Sequence, residues 1–210
     1  MSIVVEHEKR RKEILEKALD VFVEEGFENA TFQKIAVRCG ITRTTLYIYF
    51  KHKKEIFNYS IKLLLLKVEE DIQRIRSDTG LNSVEKITRV LLDILRRLEE
   101  NRRLLSVILD YLLYLSKSDA NPQIRIRRRT LKLRHILASM VIEGIKAGEL
   151  NRVNIKTADD YLYSFIEAAI FQLVVMKPET VGNLREAVIF AVRQFARKDD
   201  APAELMKDAT

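Results

Sequence analysis

Residues 39–50 of this chain read CGITRTTLYIYF and predict a tight turn followed by a very short helix. Gly40 can adopt the left-handed conformation that such a turn needs, and Thr42 can cap the helix that follows. The preceding segment, Phe32–Arg38, predicts another short helix, which Thr31 can cap. Two short helices joined by a glycine-containing turn of three or four residues are typical of a helix-turn-helix.

The charge around this pattern has one sign. Residues 31–54 contain six Lys or Arg and no Asp or Glu, whereas residues 6–28 contain eight acids and five bases. A cationic surface suits a polyanion, and the N-termini of helices add unpaired N–H groups that suit phosphate. Lys53 and Lys54 lie in the first turn of a further predicted helix, where cations oppose the helix dipole. Their position favours a phosphate close by.

The second helix of a helix-turn-helix enters the major groove by its N-terminal end. Thr42, Arg43 and Thr44 are therefore best placed to reach base edges, and Arg43 can donate two hydrogen bonds to a guanine. Tyr47 and Tyr49 can contact phosphate, sugars or thymine methyl groups, with core packing as the alternative. The residues predicted to contact DNA are Thr31, Gln33, Lys34, Thr42, Arg43, Thr44, Tyr47, Tyr49 and Lys53.

The composition favours a helical chain without metal or disulfide chemistry. Only six glycines and three prolines interrupt 210 residues, and Cys39 is the single cysteine, expected to be a small buried apolar residue. Three scattered histidines offer no metal-ligand spacing, so no metal or cofactor is predicted. The most apolar stretch, Ala168–Met176, is far shorter than the roughly 20 residues that span a bilayer. With charged residues at the start of the chain, we expect a cytoplasmic protein without membrane contact.

Apolar residues at helical spacing predict an all-α chain. The predicted helices cover about residues 7–25, 32–38, 43–49, 53–77, 82–99, 102–116, 123–147, 156–176 and 181–198. Gly26 is expected to stop the first of them, and Pro178 to separate the last two.

A family resemblance adds to this pattern. It is carried by Ala18, Phe22, Gly26-Phe27, Thr31, Ile35-Ala36, Gly40-Ile41-Thr42, Thr45-Leu46-Tyr47, Tyr49-Phe50 and Lys53-Lys54-Glu55. Through these residues, about residues 8–57 resemble the N-terminal DNA-binding domain of the TetR family of transcriptional regulators. The resemblance implies a homodimer on a palindromic double-stranded operator, which usually represses until a small ligand binds. Thr44 and Ile48 stand where the family often has a small and a polar residue, and both differences bear on base preference.

The resemblance also implies that different parts of the chain have different functions. Residues 1–52 would form the helix-turn-helix domain, residues 53–198 a ligand-sensing and dimerisation domain, and residues 199–210 a flexible tail. Alanines at helical spacing let the last two predicted helices approach those of a partner, with an ordinary core of one chain as the alternative. The predicted dimer residues are Tyr161, Phe165, Ala168, Ala169, Gln172, Leu184, Ala187, Val188, Ala191 and Phe195.

Aromatic and aliphatic residues of the middle helices could line a ligand pocket, although any one residue of this kind is more often plain core than a ligand contact. The predicted pocket residues are Tyr59, Leu63, Leu105, Leu109, Tyr111, Leu112, Tyr114 and Phe165. A lack of buried-looking charge on their faces favours an apolar or aromatic ligand. The basic cluster Arg125–Arg129 could meet an anionic ligand or more DNA, or could be a solvated helix face.

Three functions fit the sequence to different degrees. The leading hypothesis is a dimeric, ligand-responsive repressor whose fourth helix couples the sensing region to the spacing of the two recognition helices. An architectural or division-control protein on the same fold, without an inducer, is the alternative. An enzyme that holds a phosphorylated substrate on the basic patch is a third, but no Ser/His/Asp, Cys/His or paired-carboxylate arrangement supports catalysis.

Overall fold

The computed structural model describes the backbone of residues 2–117, 122–178 and 180–197, and the side chains of residues 5–115, 131–178 and 180–197. In this part of the chain every regular element is helical, apart from one isolated antiparallel bridge between Leu150 and Ala196. The elements are α1 Ser2–Asn29, α2 Phe32–Cys39, α3 Arg43–Tyr49, α4 Lys53–Ser77, α5 Ser83–Glu100, α6 Arg102–Lys117, α7 Pro122–Ala147, α8 Ile155–Phe171, a π-helical segment Gln172–Met176, and α9 Gly182–Arg193. The all-α prediction is confirmed.

Most predicted helix bounds lie within two residues of the observed ones, and α3 and α4 begin and end where the sequence predicts. The first helix is the exception at both ends. It begins at Ser2 and extends to Asn29, with a break at Gly26, whose φ of 76° and ψ of 166° are not helical. A glycine adopts this conformation without the steric cost that other residues would incur, so the predicted stop is observed as a kink.

The prediction of a regular helix over residues 156–176 is wrong in its last part, because Gln172–Met176 form a π-helical segment. Lys177 ends this segment in the left-handed conformation at φ 53°, and its N–H donates to the carbonyl of Gln172 at 3.0 Å. Proline has no backbone N–H and disfavours the right-handed α conformation of the residue before it, so a regular helix does not continue through Pro178.

The last predicted helix is also shorter than expected, because α9 ends at Arg193 and not near residue 198. The N–H of Asn151 donates to the carbonyl of Phe195 at 2.9 Å, and the Asn151 side chain donates to the carbonyl of Ala196 at 2.8 Å. These bonds and the bridge to Leu150 draw the chain out of helical conformation, a tertiary effect that helical spacing does not encode.

The described residues divide by packing into two compact units. Unit 1 contains the described residues up to 71 and from 103 to 117, and unit 2 contains those from 72 to 102 and from 122 to 197. These units are defined by packing, whereas the predicted boundary between residues 52 and 53 separates functions. That boundary stays a prediction. The predicted tail, 199–210, lies outside the described residues, as do the side chains of Arg125–Arg129.

An aromatic cluster forms the centre of unit 1. The ring of Phe57 on α4 lies 4.9 Å from that of Phe22, 5.2 Å from that of Phe27 and 4.8 Å from that of Tyr111 on α6, measured between centroids. All four side chains are buried. Edge-to-face and tilted contacts of this kind stabilise a core beyond the burial of area. The cluster therefore holds α1, α4 and α6 together beneath the two short helices.

Unit 2 contains α5, α7, α8 and α9, whose apolar faces meet in a second core that includes Leu91, Leu137 and Leu162. A carboxylate helps to begin α5. The Ser83 N–H donates to Glu149 Oε2 at 2.6 Å. Hydrogen bonding by the Ser83 side chain and then by this N–H lowers the pKa of Glu149. In the described part of the chain, none of the helices is both long and apolar enough to cross a membrane.

Candidate nucleic-acid interface

The turn between α2 and α3 has the conformation that the sequence predicts. Gly40 lies at φ 67° and ψ 34°, and its N–H points back to the carbonyls of Ala36 and Val37. The Ile41 N–H donates to the Ala36 carbonyl at 3.0 Å. Glycine in the left-handed region satisfies the last carbonyls of a helix and redirects the chain. The two short helices are therefore joined as a helix-turn-helix.

Both predicted helix caps are present. Thr31 Oγ1 accepts from the Lys34 N–H at 3.2 Å, and Thr42 Oγ1 accepts from the Thr45 N–H at 3.0 Å. The Thr42 and Thr45 hydroxyls also lie 2.8 Å apart. Each threonine satisfies a donor that the first turn of its helix would otherwise leave unpaired. Thr31 and Thr42 thus act at the helix starts while remaining exposed to solvent.

One face of α3 is exposed and carries most of the residues predicted to read bases. Arg43 and Thr44 are exposed, and one turn later Tyr47 is 48% and Ile48 71% exposed, whereas Leu46 on the opposite side is fully buried. Sequence reasoning did not include Ile48 in this face. Helical spacing could have found it, since Ile48 follows Thr44 by four residues. A large exposed aliphatic side chain here serves no purpose in the core.

Tyr47 is held in place by two neighbours. Its ring stacks on that of Phe32 with 4.7 Å between centroids, and its hydroxyl accepts from Arg43 Nη2 at 3.1 Å. The Arg43 guanidinium lies 5.6 Å from the centroid of the Tyr47 ring. The tyrosine therefore orients the arginine at the surface of α3, and the pair presents the four remaining guanidinium N–H donors and the tyrosine hydroxyl to a partner.

Tyr49 lies in a different setting. Its ring is half-buried and stacks on the exposed imidazole of His7, with 4.5 Å between centroids and 23° between planes. The structure thus places Tyr49 between α3 and the first turns of α1. The predicted DNA contact of Tyr49 stays a prediction, and only part of its ring is available for such a contact.

The cations of the basic segment are partly paired with acids of α1. Lys34 Nζ lies 2.6 Å from Glu25, and Arg38 donates to both carboxylate oxygens of Glu24. Hydrogen bonding by Glu24 raises the pKa of Arg38, and hydrogen bonding by Arg38 lowers the pKa of Glu24. These pairs are exposed to solvent, so each cation can exchange its carboxylate for a phosphate at little cost. Gln33, beside Lys34, is exposed.

Lys53 points into the protein. Its ammonium donates to the backbone carbonyls of Phe27, Glu28 and Ala30 at 2.9, 2.6 and 3.1 Å. Burial lowers the pKa of Lys53, and the negative charge of Glu28 partly opposes this effect. In the structure, Lys53 is therefore separate from the exposed face of α3, and its predicted contact with DNA remains a prediction.

The predicted pocket residues do not share one environment. Tyr59, Leu63, Leu105, Leu109, Tyr111, Leu112 and Tyr114 belong to unit 1, whereas Phe165 belongs to unit 2. Tyr111 is buried in the aromatic cluster, while Leu109 and Tyr114 are 41% and 47% exposed. Tyr59 is at the surface, with the guanidinium of Arg11 4.6 Å from its ring centroid. A pocket built from this set stays a prediction.

Unit 2 contains two cavities that involve none of those residues. The larger, about 570 Å³, lies between α5 and α9 and is lined by Leu92 and Ile189 together with Arg89, Arg185 and Arg193. The smaller, about 180 Å³, is lined by Arg76, Met140 and Glu149 among others. No group of three or more His, Cys, Asp or Glu residues in the described part of the chain could hold a metal ion.

The predicted dimer residues fall into two groups. Ala169, Val188 and Ala191 are at most 1% exposed inside unit 2 of the single chain, and a buried side chain leaves no surface for a partner to cover. The others are half-buried or exposed: Tyr161, Phe165, Ala168, Gln172, Leu184, Ala187 and Phe195. Near them lie large apolar side chains that the prediction lacked, namely Ile170, Phe171, Val175, Met176 and Phe190, which are 36–71% exposed.

Comparison with known proteins places the helix-turn-helix in a family. Residues 14–59 match the model of the bacterial regulatory proteins of the tetR family. Over 103 residues the chain is 34% identical to the HTH-type transcriptional regulator PksA of Bacillus subtilis, a stretch that covers 49% of this chain. The matched stretch spans only half of the length of that relative.

Two solved structures share the fold over most of the chain. A TetR transcription regulator from Haloarcula marismortui superposes with a TM-score of 0.75 at 18% identity, over 90% of this chain and 97% of the other. The transcriptional regulator FadR from Bacillus subtilis, solved in complex with stearoyl-CoA, superposes with a TM-score of 0.67 at 23% identity, over 88% and 98%. At these identities the likeness establishes the fold.

Proposed function

We propose that this chain is a regulator of the TetR family, and that it acts as a dimeric transcriptional repressor that a small molecule releases from a palindromic operator. One observation supports DNA recognition most directly. The exposed face of α3 carries a guanidinium, hydroxyls and an aliphatic side chain, all of them accessible to solvent. These are the groups that read base edges and thymine methyl groups in a major groove.

The two helices of the motif divide the contacts. Arg43 and Thr44 at the start of α3 reach base edges, and the Arg43 guanidinium can donate to both acceptors of a guanine. Gln33 and Lys34 at the start of α2 contact the phosphate backbone, for which Lys34 leaves Glu25. Backbone contacts of this kind fix the orientation of the protein, while the base contacts select the sequence.

DNA binding is tested on the region upstream of the gene that encodes this chain. We expect the purified protein to bind one fragment of that region with nanomolar affinity, as specific regulators typically do at physiological salt. A footprint should show an inverted repeat whose half-sites lie about 34–36 Å apart, or a multiple of that distance. If a genome-wide binding selection yielded no enriched duplex sequence, the proposed function would be wrong.

We propose that the exposed apolar residues of α8, the π-helical segment and α9 form the dimer surface. Phe171, Met176 and Phe190 are 60%, 71% and 69% exposed. Apolar surface clustered on a few helices in this way marks an interaction site more often than scattered exposed residues do. A partner that covers these side chains would place two copies of α3 on one duplex.

Replacing Phe171 with Glu is expected to convert the dimer into a monomer, because the new carboxylate would lose its water on association. Light scattering after gel filtration measures the change in mass, and operator affinity should fall at least about tenfold because one half-site is lost. The control is Leu131→Glu, which places the same charge on an exposed residue of α7, outside the helix-turn-helix. A dimer that persists in the Phe171 variant would contradict this surface.

Ile48 is expected to contact the methyl group of a thymine. Replacing that thymine with uracil removes only the methyl group, which should weaken binding about three- to fivefold per half-site, the value of one buried methylene-sized group. In an Ile48→Ala variant the same uracil should have no effect. Val37→Ala provides the matched control, because Val37 is similarly exposed, at 69%, but lies on α2. Equal uracil effects in all three proteins would exclude this contact.

The releasing ligand is proposed to be a small apolar or amphipathic molecule. Stearoyl-CoA, which the FadR structure contains, is the first probe, with free coenzyme A as the control for its polar part. Release of operator DNA by stearoyl-CoA but not by free coenzyme A would support an acyl-responsive switch. An architectural protein without an inducer would instead keep its DNA with every ligand tried.

A further inference from the structure

The ammonium of Lys53 is the meeting point of three backbone carbonyls. Its Nζ lies 2.9 Å from the oxygen of Phe27, 2.6 Å from that of Glu28 and 3.1 Å from that of Ala30. It also lies 4.9 Å from the centroid of the Phe27 ring. An ammonium has three donors and no acceptor, so these three bonds use its hydrogen-bonding capacity completely.

The three carbonyls need this partner because of how α1 ends. The kink at Gly26, with φ of 76°, interrupts the regular helix, and the last carbonyls of any helix lack intrahelical donors. A lysine near the C-terminal end of a helix can bond such carbonyls and is also favoured by the helix dipole. Lys53 acts on α1 in this way from the first residue of α4.

The first turn of α4 is itself closed by protein groups. The Glu55 N–H donates to Nδ1 of His52 at 3.1 Å, and the Lys51 N–H donates to Oε2 of Glu55 at 2.8 Å. The Glu55 carboxylate therefore occupies the Lys51 N–H, and His52 occupies the Glu55 N–H. Both the side chain of Lys53 and the start of α4 are engaged within unit 1.

We propose that Lys53 is a positioning residue, which fixes the junction between α1 and α2 on the first turn of α4 and makes no contact with phosphate. The junction ends at Thr31, the cap of α2. The three hydrogen bonds of Lys53 therefore determine where α2 begins and how Gln33 and Lys34 face the backbone of the duplex. This inference rests on the proposed function, since it concerns how the DNA-binding unit is held in its binding geometry.

The salt dependence of DNA binding separates the two roles. Each lysine that contacts a phosphate contributes about 0.9 to the slope of log affinity against log salt concentration. Three variants are compared with the wild type: Lys53→Met, Lys53→Arg and Lys51→Met. The last one removes the same charge two residues away, from an exposed side chain. Affinity is measured by fluorescence anisotropy at salt concentrations from about 50 to 300 mM, over which such slopes can be determined. Circular dichroism gives the Tm of each variant.

For Lys53→Met we expect the plot of log affinity against log salt concentration to run parallel to that of the wild type. The slope should be unchanged and the affinity about tenfold lower, measured well below the Tm of the variant. Tm should fall by about 3–8 °C, because three carbonyls lose their partner and two of these contacts are partly buried. Loss of stability alone would not move the affinity of a fully folded protein. The parallel shift is therefore the result that identifies a positioning role. Lys51→Met should leave Tm unchanged.

Lys53→Arg provides the second test, which remains valid if the methionine variant does not fold. A guanidinium keeps the charge and binds phosphate at least as well, but its planar donors do not fit three carbonyls that converge on one atom. We expect the arginine variant to lose affinity and stability like the methionine variant. A slope reduced by about 0.9 in Lys53→Met, or wild-type affinity and Tm in Lys53→Arg, would overturn the proposal. If the wild type itself bound no duplex, the proposed function would fail instead.

Discussion

Replacing Arg43 and Tyr47 together with alanine is expected to lower the affinity for the operator about 100- to 1000-fold. A bidentate contact between arginine and guanine contributes about 1–3 kcal/mol of discrimination, and Tyr47 contributes in two ways. It supplies a hydroxyl of its own, and it orients Arg43 through the 3.1 Å hydrogen bond between them. Anisotropy titrations of the wild-type and variant proteins on the same labelled fragment measure the loss.

The single replacements should reveal that the two residues act together. Because the Tyr47 hydroxyl accepts from Arg43, removing either residue should abolish part of what the other contributes, and the double variant should lose less than the sum of the two single losses. Arg152→Ala, which removes an exposed arginine from unit 2, is the control and should bind like the wild type. Retained affinity in the double variant would rule out α3 as the recognition helix.

Phe57→Ala is expected to destabilise unit 1 by about 3–5 kcal/mol, the usual cost of removing a buried phenylalanine ring. The side chain is 1% exposed and contacts three other rings, those of Phe22, Phe27 and Tyr111. Its loss would leave a cavity between α1, α4 and α6. Urea denaturation followed by tyrosine fluorescence measures the change, since the chain has no tryptophan and Tyr111 lies in the cluster.

Two further variants calibrate this value. Phe57→Leu keeps most of the apolar volume and should cost clearly less than the alanine variant. Val37→Ala removes methyl groups from a residue that is 69% exposed, so the free energy of unfolding should change by no more than about 0.5 kcal/mol. A loss below about 1 kcal/mol for Phe57→Ala would mean that the aromatic cluster does not hold the unit together.

The helix-turn-helix could be predicted from sequence because its determinants are local. The left-handed conformation of Gly40, the caps at Thr31 and Thr42 and the bounds of α3 all depend on residues within four positions of one another. Backbone conformation and capping bonds of this range are encoded by residue type, so spacing alone predicts them. The burial of Leu46 follows from the same helical spacing.

The charge of the basic segment could be counted from sequence, but its partners could not. Lys34 and Arg38 face acids of α1 that lie nine and fourteen residues earlier in the chain, and Lys53 reaches carbonyls more than twenty residues away. Such pairings depend on how helices pack and not on local spacing. Lys34 and Arg38 keep exposed pairs that a phosphate can replace, whereas the ammonium of Lys53 is taken up by three backbone carbonyls.

The aromatic residues show the same limit. Tyr111 and Tyr114 were predicted to line a ligand pocket, yet their rings lie 4.4 and 6.0 Å from that of Phe27, measured between centroids. A helix with apolar residues on one face predicts that the face is covered, but it does not say by what. The structure covers the buried part of this face of α6 with the phenylalanines of unit 1.

The sequence by itself determined the helical class, the helix-turn-helix and the residues that begin and end its two short helices, because caps, turns and amphipathic spacing act over a few residues. Tertiary structure alone decided which side chains remain available for DNA. It paired Lys34 and Arg38 with carboxylates of α1, and it directed the ammonium of Lys53 to the carbonyls at the end of α1. Availability depends on long-range packing and on which polar groups have found partners, and neither is encoded in the spacing of residues along the chain.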